Sequence, residues 1–180
     1  ANPAKKTSIV FSPHPDDDVI SMGGTFIRLA DQGHDVHVAY QTSGNTAVWD
    51  DDVVRYLEFA EDFANEMGID ASKIKALYDE SRDIFASKKP NQIDTDIVRK
   101  IKALIRKGEA IAGARFVGLP ASNIHFQDLP FYDRQKFSKN VSFEDDIVQT
   151  MELLRKVKPH QIFAAGDFAD PHGTHRICFD

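Results

Sequence analysis

The chain has 180 residues, 42% of them hydrophobic and 28% charged, which suits one domain with its own buried core. The net charge of -6 argues against a nucleic-acid surface, which needs a basic face. No segment has the roughly 18 consecutive apolar residues of a membrane span, and the single cysteine, Cys178, favours a reducing, cytoplasmic location.

The first half of the sequence alternates between strand-like and helix-like segments. Residues 8–11 form a short apolar run typical of a buried strand, and helical periodicity follows over residues 19–32. Residues 34–44 alternate in polarity and are rich in β-branched and aromatic side chains, which predicts a second strand. Amphipathic patterns then predict helices over residues 50–67 and 72–87.

The second half continues this alternation. The patterns predict a helix over 93–112, a strand at 114–119 ("ARFVGL"), a surface loop over 120–140, a helix over 144–156 and a strand at 160–166. Together the elements predict an α/β protein with a Rossmann-like three-layer fold, in which helices flank a mostly parallel sheet. Ligands of such sheets bind beyond the carboxyl ends of the strands.

Two polar motifs, "HPDDD" and "HGTH", each follow a predicted strand and should lie at the same edge of the sheet. His14 and Asp17 are three residues apart across a turn that contains a proline, so both could bind one metal ion. Asp16, between them, could take a proton from a water on that ion. His172 and His175 have the same spacing, and one of them could supply a third ligand.

The other residues of these kinds have plainer interpretations. An aspartate at the end of a strand often caps the next helix, and Asp18 is interpreted as such a cap. Surface or packing positions are predicted for the remaining histidines, His34, His37, His125 and His160.

The quoted motifs resemble those of a known family. "FSPHPDDDVISMGGT" is similar to the signature of the LmbE/PIG-L family of zinc-dependent N-acetylglucosaminyl deacetylases, whose first strand ends in His-Pro-Asp-Asp and whose next helix carries Gly-Gly-Thr. "HGTHR" is similar to the later histidine pair of that family, although the family's usual motif there is His-Pro-Asp-His. "TSGN" and "RYLEFAEDFANEMG" resemble segments between the two, so the similarity spans nearly the whole chain in order.

The resemblance implies roles for the residues of both motifs. His14, Asp17 and His175 match the zinc ligands, and Fe²⁺ would accept the same ligand set. Asp16 matches the general base that activates water. His172 matches the histidine that assists the tetrahedral intermediate as electrophile or general acid.

Two further residues are assigned less directly. Arg55 matches a substrate-binding arginine on the helix after the second strand. Asp170 could accept a hydrogen bond from His172 or His175, since metal-ligating histidines usually donate their other N–H group to an acceptor.

The block 81–119 is longer and more basic than is usual in the family. It resembles the deacetylase-like domain that is fused to glucosamine-6-phosphate deaminase in some bacterial proteins. Residues 1–180 are therefore predicted to be a single deacetylase domain from a longer, two-domain protein. Arg106, Lys107 and Arg115 could then face a phosphorylated sugar, or form a solvated basic helix face.

The predicted function is zinc-dependent removal of the N-acetyl group from a small amino sugar, an N-acetylglucosamine derivative with the 6-phosphate as a candidate. The first alternative is a non-catalytic metal- or sugar-binding domain that regulates an attached deaminase. A nucleotide-binding Rossmann domain is disfavoured because no G-x-G-x-x-G follows the first strand. A phosphodiesterase would usually need a second metal ion with more carboxylate ligands.

Overall fold

The structure, a computed structural model, describes residues 4–134, 142–167, 169 and 171–180. It divides into two units. The sheet unit comprises residues 1–43 and 107–180, and the helical unit comprises residues 44–106. Within the described residues the helices are α1 (Asp17–Asp31), α2 (Asp50–Glu66), α3 (Ser72–Ser87), α4 (Asp96–Val117), α5 (Phe131–Arg134), α6 (Glu144–Val157) and α7 (Thr174–Phe179). None of them combines the length and the apolar character that crossing a membrane requires.

The sheet unit is built on four described strands, β1 (Thr7–Ser12), β2 (Asp35–Tyr40), β3 (Ile124–Phe126) and β4 (Gln161–Ala164). Their order is β3-β2-β1-β4, and every neighbouring pair is parallel. Ser12 pairs with Tyr40, and Phe11 pairs with Ala164, so the strands end together at one edge. The predicted α/β fold with a mostly parallel sheet between helices is confirmed.

Alternate residues of the two central strands, β1 and β2, are buried in two different apolar cores. Val10 and Val38 point to one face, where they pack with residues of α1 and α4 such as Phe26 and Ala114. Ile9, Phe11 and Ala39 point to the other face, where the partly buried Leu153, Leu154 and Val157 of α6 cover them. Strands covered on both faces are apolar throughout, which is why the sequence marks β1 so clearly.

The predicted strand at 114–119 is wrong. Helix α4 continues to Val117, because Ala110, Ala114 and Val117 have helical spacing and are all buried in the core of the sheet unit. Gly118 then adopts φ 98°, a conformation that favours glycine after a helix. Strand β3 lies instead within the segment predicted as a surface loop, where its three residues are too few to reveal a period.

In the helical unit, α2 and α3 pack against the first part of α4. Their apolar core contains the buried Val53, Leu57 and Ile105 with Leu77 and Ile101 against them. The predicted bounds of α3 are identical to the observed ones, and those of α2 differ by one residue.

Four alternating charges form a network in the helical unit. The ammonium nitrogen of Lys102 lies 2.7 Å from Asp50 Oδ1 and 2.8 Å from Asp94 Oδ2. Lys88 contacts the other oxygens of the same two carboxylates at 2.7 and 2.6 Å. Burial alone would raise the pKa of Asp94, but the contacts from Lys102 and Lys88 lower it below the usual range. The network ties the segment before α4 to the start of α2.

Lys102→Met should lower the free energy of unfolding by about 3 kcal/mol, because it leaves two partly buried carboxylates with a single cation. The Lys102 side chain is only 5% exposed, so water cannot replace its ammonium group easily. Urea unfolding of the variant measures the loss, with Lys100→Met at an exposed position of α4 as the matched control. An equal, small effect of both substitutions would show that the network is energetically neutral.

Two histidines form a pair between β2 and β3. His37 Nδ1 lies 3.0 Å from His125 Nε2, and the rings stack with centroids 5.3 Å apart. Asp35 Oδ1 lies 3.6 Å from the other nitrogen of His37. Burial, His37 and the charge of Lys156 on α6 lower the pKa of His125 to about 4. Both histidines are partly buried, which agrees with their interpretation as packing residues.

The low pKa of His125 predicts a loss of stability in mild acid. The folded state keeps this imidazole neutral, whereas in the unfolded chain it gains a proton near pH 6.5, so its contribution is complete above pH 6.5 and declines as the pH falls toward 4. Between pH 7.5 and pH 5 the wild type should lose about 2 kcal/mol more than His125→Gln in urea unfolding. His160→Gln, at an exposed position, should keep the wild-type slope; identical slopes for all three proteins would contradict the prediction.

Candidate metal centre

The turn between β1 and α1 places the "HPDDD" motif at the carboxyl end of the central strand. His14 and Pro15 form the turn, Asp16 occupies the N-cap position, and Asp17 begins the helix. The carbonyl of Asp16 accepts hydrogen bonds from the amides of Val19 and Ile20. The expectation that Asp18 caps this helix is wrong.

Asp18 lies inside the first turn of α1 and points into the core. It is only 2% exposed, and its Oδ2 accepts a hydrogen bond from the hydroxyl of Tyr40 at 2.9 Å. Burial raises the pKa of the Asp18 carboxyl despite hydrogen bonds from Tyr40 and from backbone amides. The sequence interpretation failed because the partner lies 22 residues away, on β2.

His14, Asp17 and His175 come together although the two histidines are 161 residues apart. Asp17 Oδ2 lies 3.2 Å from His14 Nδ1 and 3.2 Å from His175 Nε2, and those two nitrogens are 3.3 Å apart. The three donor atoms therefore form a nearly equilateral triangle. Three such side chains could together hold a metal ion, and among the described residues no other group of His, Cys, Asp or Glu meets that criterion.

The dimensions of this triangle fit a tetrahedral ion. Ligands at about 2.0–2.1 Å from a zinc ion lie roughly 3.3–3.4 Å from one another, close to the distances between the three donor atoms. Burial alone would raise the pKa of Asp17, but hydrogen bonds from His14 and the nearby His175 lower it, which favours the ligating carboxylate form. Two imidazoles and one carboxylate leave a fourth position open for water or substrate, as catalytic zinc sites do.

The turn before α7 orients the second motif. Gly173 has φ 73°, which favours glycine, and it turns the chain between His172 and His175. His175 is directed into the triad, whereas His172 is solvent-exposed and is not part of it. The Nδ1 atom of His175 is buried, and no partner for it is found among the described residues. Asp170, the predicted acceptor for such an N–H group, lies outside the described residues.

The basic residues that were considered for substrate binding lie in different places. Arg55 is in the helical unit, where its guanidinium contacts Asp52 at 2.8 Å and its side chain is 70% exposed. The ammonium group of Lys107 lies 4.8 Å above the ring of Phe126. Ala110 of α4 contacts Tyr40 at the end of β2, whereas Asn123, shortly after α4, contacts Val36 near the beginning of β2. Arg115 lies between them, in the last turn of α4, and is therefore away from the edge that carries His14.

The sequence interpretation did not identify Tyr132 beside the candidate centre. Its ring packs edge-on against the ring of His14, with centroids 5.9 Å apart. Tyr132 belongs to α5 and is buried with Leu129 and Phe131. The cluster of apolar residues in "DLPFYD" was the available signal that this part of the predicted surface loop is buried.

Comparison with known proteins places the chain in a family. The family model described as "PIG-L: GlcNAc-PI de-N-acetylase" matches residues 9–180, which is nearly the whole chain. The chain belongs to this family. The prediction that it is a PIG-L (LmbE-like) domain is thereby confirmed, and the matched region includes all three residues of the triad.

One relative and one solved structure are also similar to this PIG-L domain. A glucosamine-6-phosphate deaminase-like protein of Bacteroides thetaiotaomicron is 50% identical over 182 residues, covering all of this chain but 27% of the relative. The N,N'-diacetylchitobiose deacetylase of Pyrococcus horikoshii, solved with an inhibitor, has a TM-score of 0.55 at 21% identity. That match covers 95% of this chain and 45% of the other, so this chain spans less than half the length of either protein.

Proposed function

We propose that this domain is a metal-dependent amide hydrolase that removes the acetyl group from an N-acetylglucosamine derivative. The observation that carries the proposal is the triangle of donor atoms from His14, Asp17 and His175, placed at the carboxyl edge of the sheet. The family assignment supports deacetylation as the reaction. Zn²⁺ suits this donor set best, and Fe²⁺ is the alternative.

Residues of the two motifs have separate roles in the proposed reaction. A divalent ion held by the triad would polarise the acetamide carbonyl and lower the pKa of a bound water. Asp16 accepts a proton from the attacking water as the new C–O bond forms. His172 donates a hydrogen bond to the carbonyl oxygen while negative charge develops there. When the C–N bond breaks, the nitrogen takes up the proton that Asp16 accepted, and acetate and the free amino sugar leave.

The finer identity of the substrate is part of the proposal. The deaminase-like name of the relative favours a free or 6-phosphorylated amino sugar over a lipid-linked one. Lys107 is the candidate for a contact with a phosphate in this proposal, and Arg115 is not, because it lies away from the triad. Substrate binding by Arg55 stays a prediction from the family resemblance. A fused deaminase domain would then use the amino sugar that deacetylation releases.

Acetate release tests the proposal directly. The chain is loaded with Zn²⁺ or Fe²⁺ and assayed with N-acetylglucosamine, its 6-phosphate, N,N'-diacetylchitobiose and an N-acetylglucosaminyl lipid. We expect turnover of at least one of these and none after chelation of the metal. Metal binding without turnover of any compound would contradict the hydrolase and favour a regulatory domain, the alternative function for the same metal centre.

A further inference from the structure

The proposed base occupies a backbone conformation that the surrounding structure has to enforce. Asp16 has φ 131° and ψ -27°, a backbone conformation that is unfavourable for a residue with a side chain. Two hydrogen bonds lie within the turn, from the amide of Asp17 to the carbonyl of His14 and from the amide of His14 to Asp17 Oδ2. Further hydrogen bonds come from groups on either side of it.

Three buried side chains surround the two ends of this turn. Ser12, at the end of β1, donates from its hydroxyl to the carbonyl of His14 at 2.6 Å and accepts from the amide of Asp18 at 3.0 Å. Asp18 Oδ1 lies 3.3 Å from the same hydroxyl, and Tyr40 donates to Oδ2 at 2.9 Å. The exposed fractions of Ser12, Asp18 and Tyr40 are 0%, 2% and 1%, so these bonds are shielded from water.

The arrangement makes Tyr40 the least replaceable member. Its hydroxyl has one proton and two acceptors in reach, Asp18 Oδ2 at 2.9 Å and the carbonyl of Ala110 at 3.2 Å. Loss of the Asp18 acceptor leaves Tyr40 with another acceptor. Loss of the Tyr40 hydroxyl instead removes the donor to Asp18 Oδ2, and an unpaired buried carboxylate oxygen is expensive.

We propose that Asp18 is a positioning residue, which together with Ser12 and Tyr40 clamps the turn between β1 and α1. The clamp holds Asp16 in its strained conformation and keeps His14 and Asp17 at the distances that the triad requires. Helix capping alone does not account for Asp18. Its carboxylate is buried in the core, where it accepts a hydrogen bond from Tyr40 and lies beside the hydroxyl of Ser12. The catalytic part of this inference rests on the proposed deacetylase function, whereas the part concerning the metal ligands does not.

Two conservative substitutions test the clamp, Tyr40→Phe and Asp18→Asn. Both keep the shape of the side chain, and Co²⁺ serves as a coloured probe of the triad. Tyr40→Phe should weaken Co²⁺ binding by roughly tenfold or more, shift the visible absorption bands and lower kcat by a similar factor with little change in KM. Asp18→Asn should act in the same direction but less, since the asparagine still accepts from Tyr40.

Leu29→Ala provides the control for a purely structural role. Leu29 is buried in the core cluster that contains Tyr40, but it lies at the other end of α1. It should lower the urea concentration at the midpoint of unfolding while Co²⁺ affinity, absorption bands and kcat stay at wild-type values. The clamp is disproved if Tyr40→Phe and Asp18→Asn behave like Leu29→Ala. Altered Co²⁺ affinity and bands in a protein that hydrolyses none of the tested amides would support the clamp and refute the proposed deacetylase.

Discussion

Asp16→Asn is expected to lower kcat for deacetylation by about a thousandfold while the protein keeps its metal. The amide of asparagine has nearly the shape of the carboxylate but cannot accept the proton of the attacking water. Asparagine is also among the residues that tolerate positive φ best, so the strained turn at φ 131° should persist. Acetate release and metal content, measured on the same preparation, provide the two numbers that are needed.

Asp31→Asn is the matched control, because Asp31 ends the same helix and is exposed. It should leave both kcat and metal content unchanged. A fully active Asp16→Asn protein would assign the base to another residue. Loss of metal from Asp16→Asn would instead mean that Asp16 supports the ligands, and the low activity would then say nothing about proton transfer.

Much of the fold could be predicted because its signals are local. Strand β1 is a short apolar run buried on both faces, and α3 starts where the amide of Ser72 donates to Asp70 two residues before it. The end of α4 could not be predicted with equal success, because "ARFV" satisfies a strand propensity and a helical spacing at once. The buried partners of Ala114 and Val117 decide between the two, and they come from distant parts of the chain.

The same distinction separates the parts of the candidate site. The spacing of His14 and Asp17 and the strand before each motif are local features, so the sequence could indicate a shared metal ion. The difference between the adjacent acids Asp17 and Asp18 depends on side chains brought together only by the fold: His175 for the first and Tyr40 for the second. The local spacing within "HPDDD" does not show which acid joins the triad and which one is buried in the core.

His175→Ala should weaken metal binding by more than the roughly hundredfold that typically follows removal of an outer partner of a ligand. The substitution deletes one corner of the triangle and leaves His14 and Asp17, which contact each other at 3.2 Å and could then pair without an ion. Titration with Co²⁺ under competition by a chelator measures the affinity independently of turnover. His172→Ala is the sharpest comparison, since it removes an imidazole only three residues earlier in the same motif.

His172→Ala and His175→Ala should change different properties of the protein, the first kcat and the second metal affinity. His172→Ala should retain wild-type metal affinity and lose kcat by roughly a hundredfold or more, because it would remove the proposed donor to the carbonyl oxygen rather than a proposed ligand. The opposite pattern, with metal lost from His172→Ala and kept by His175→Ala, would exchange the roles of the two histidines. Equal loss of metal from both would mean that the turn at Gly173 is disrupted by either change, and Gly173→Ala, which strains a residue at φ 73°, would then reproduce that loss with both imidazoles in place.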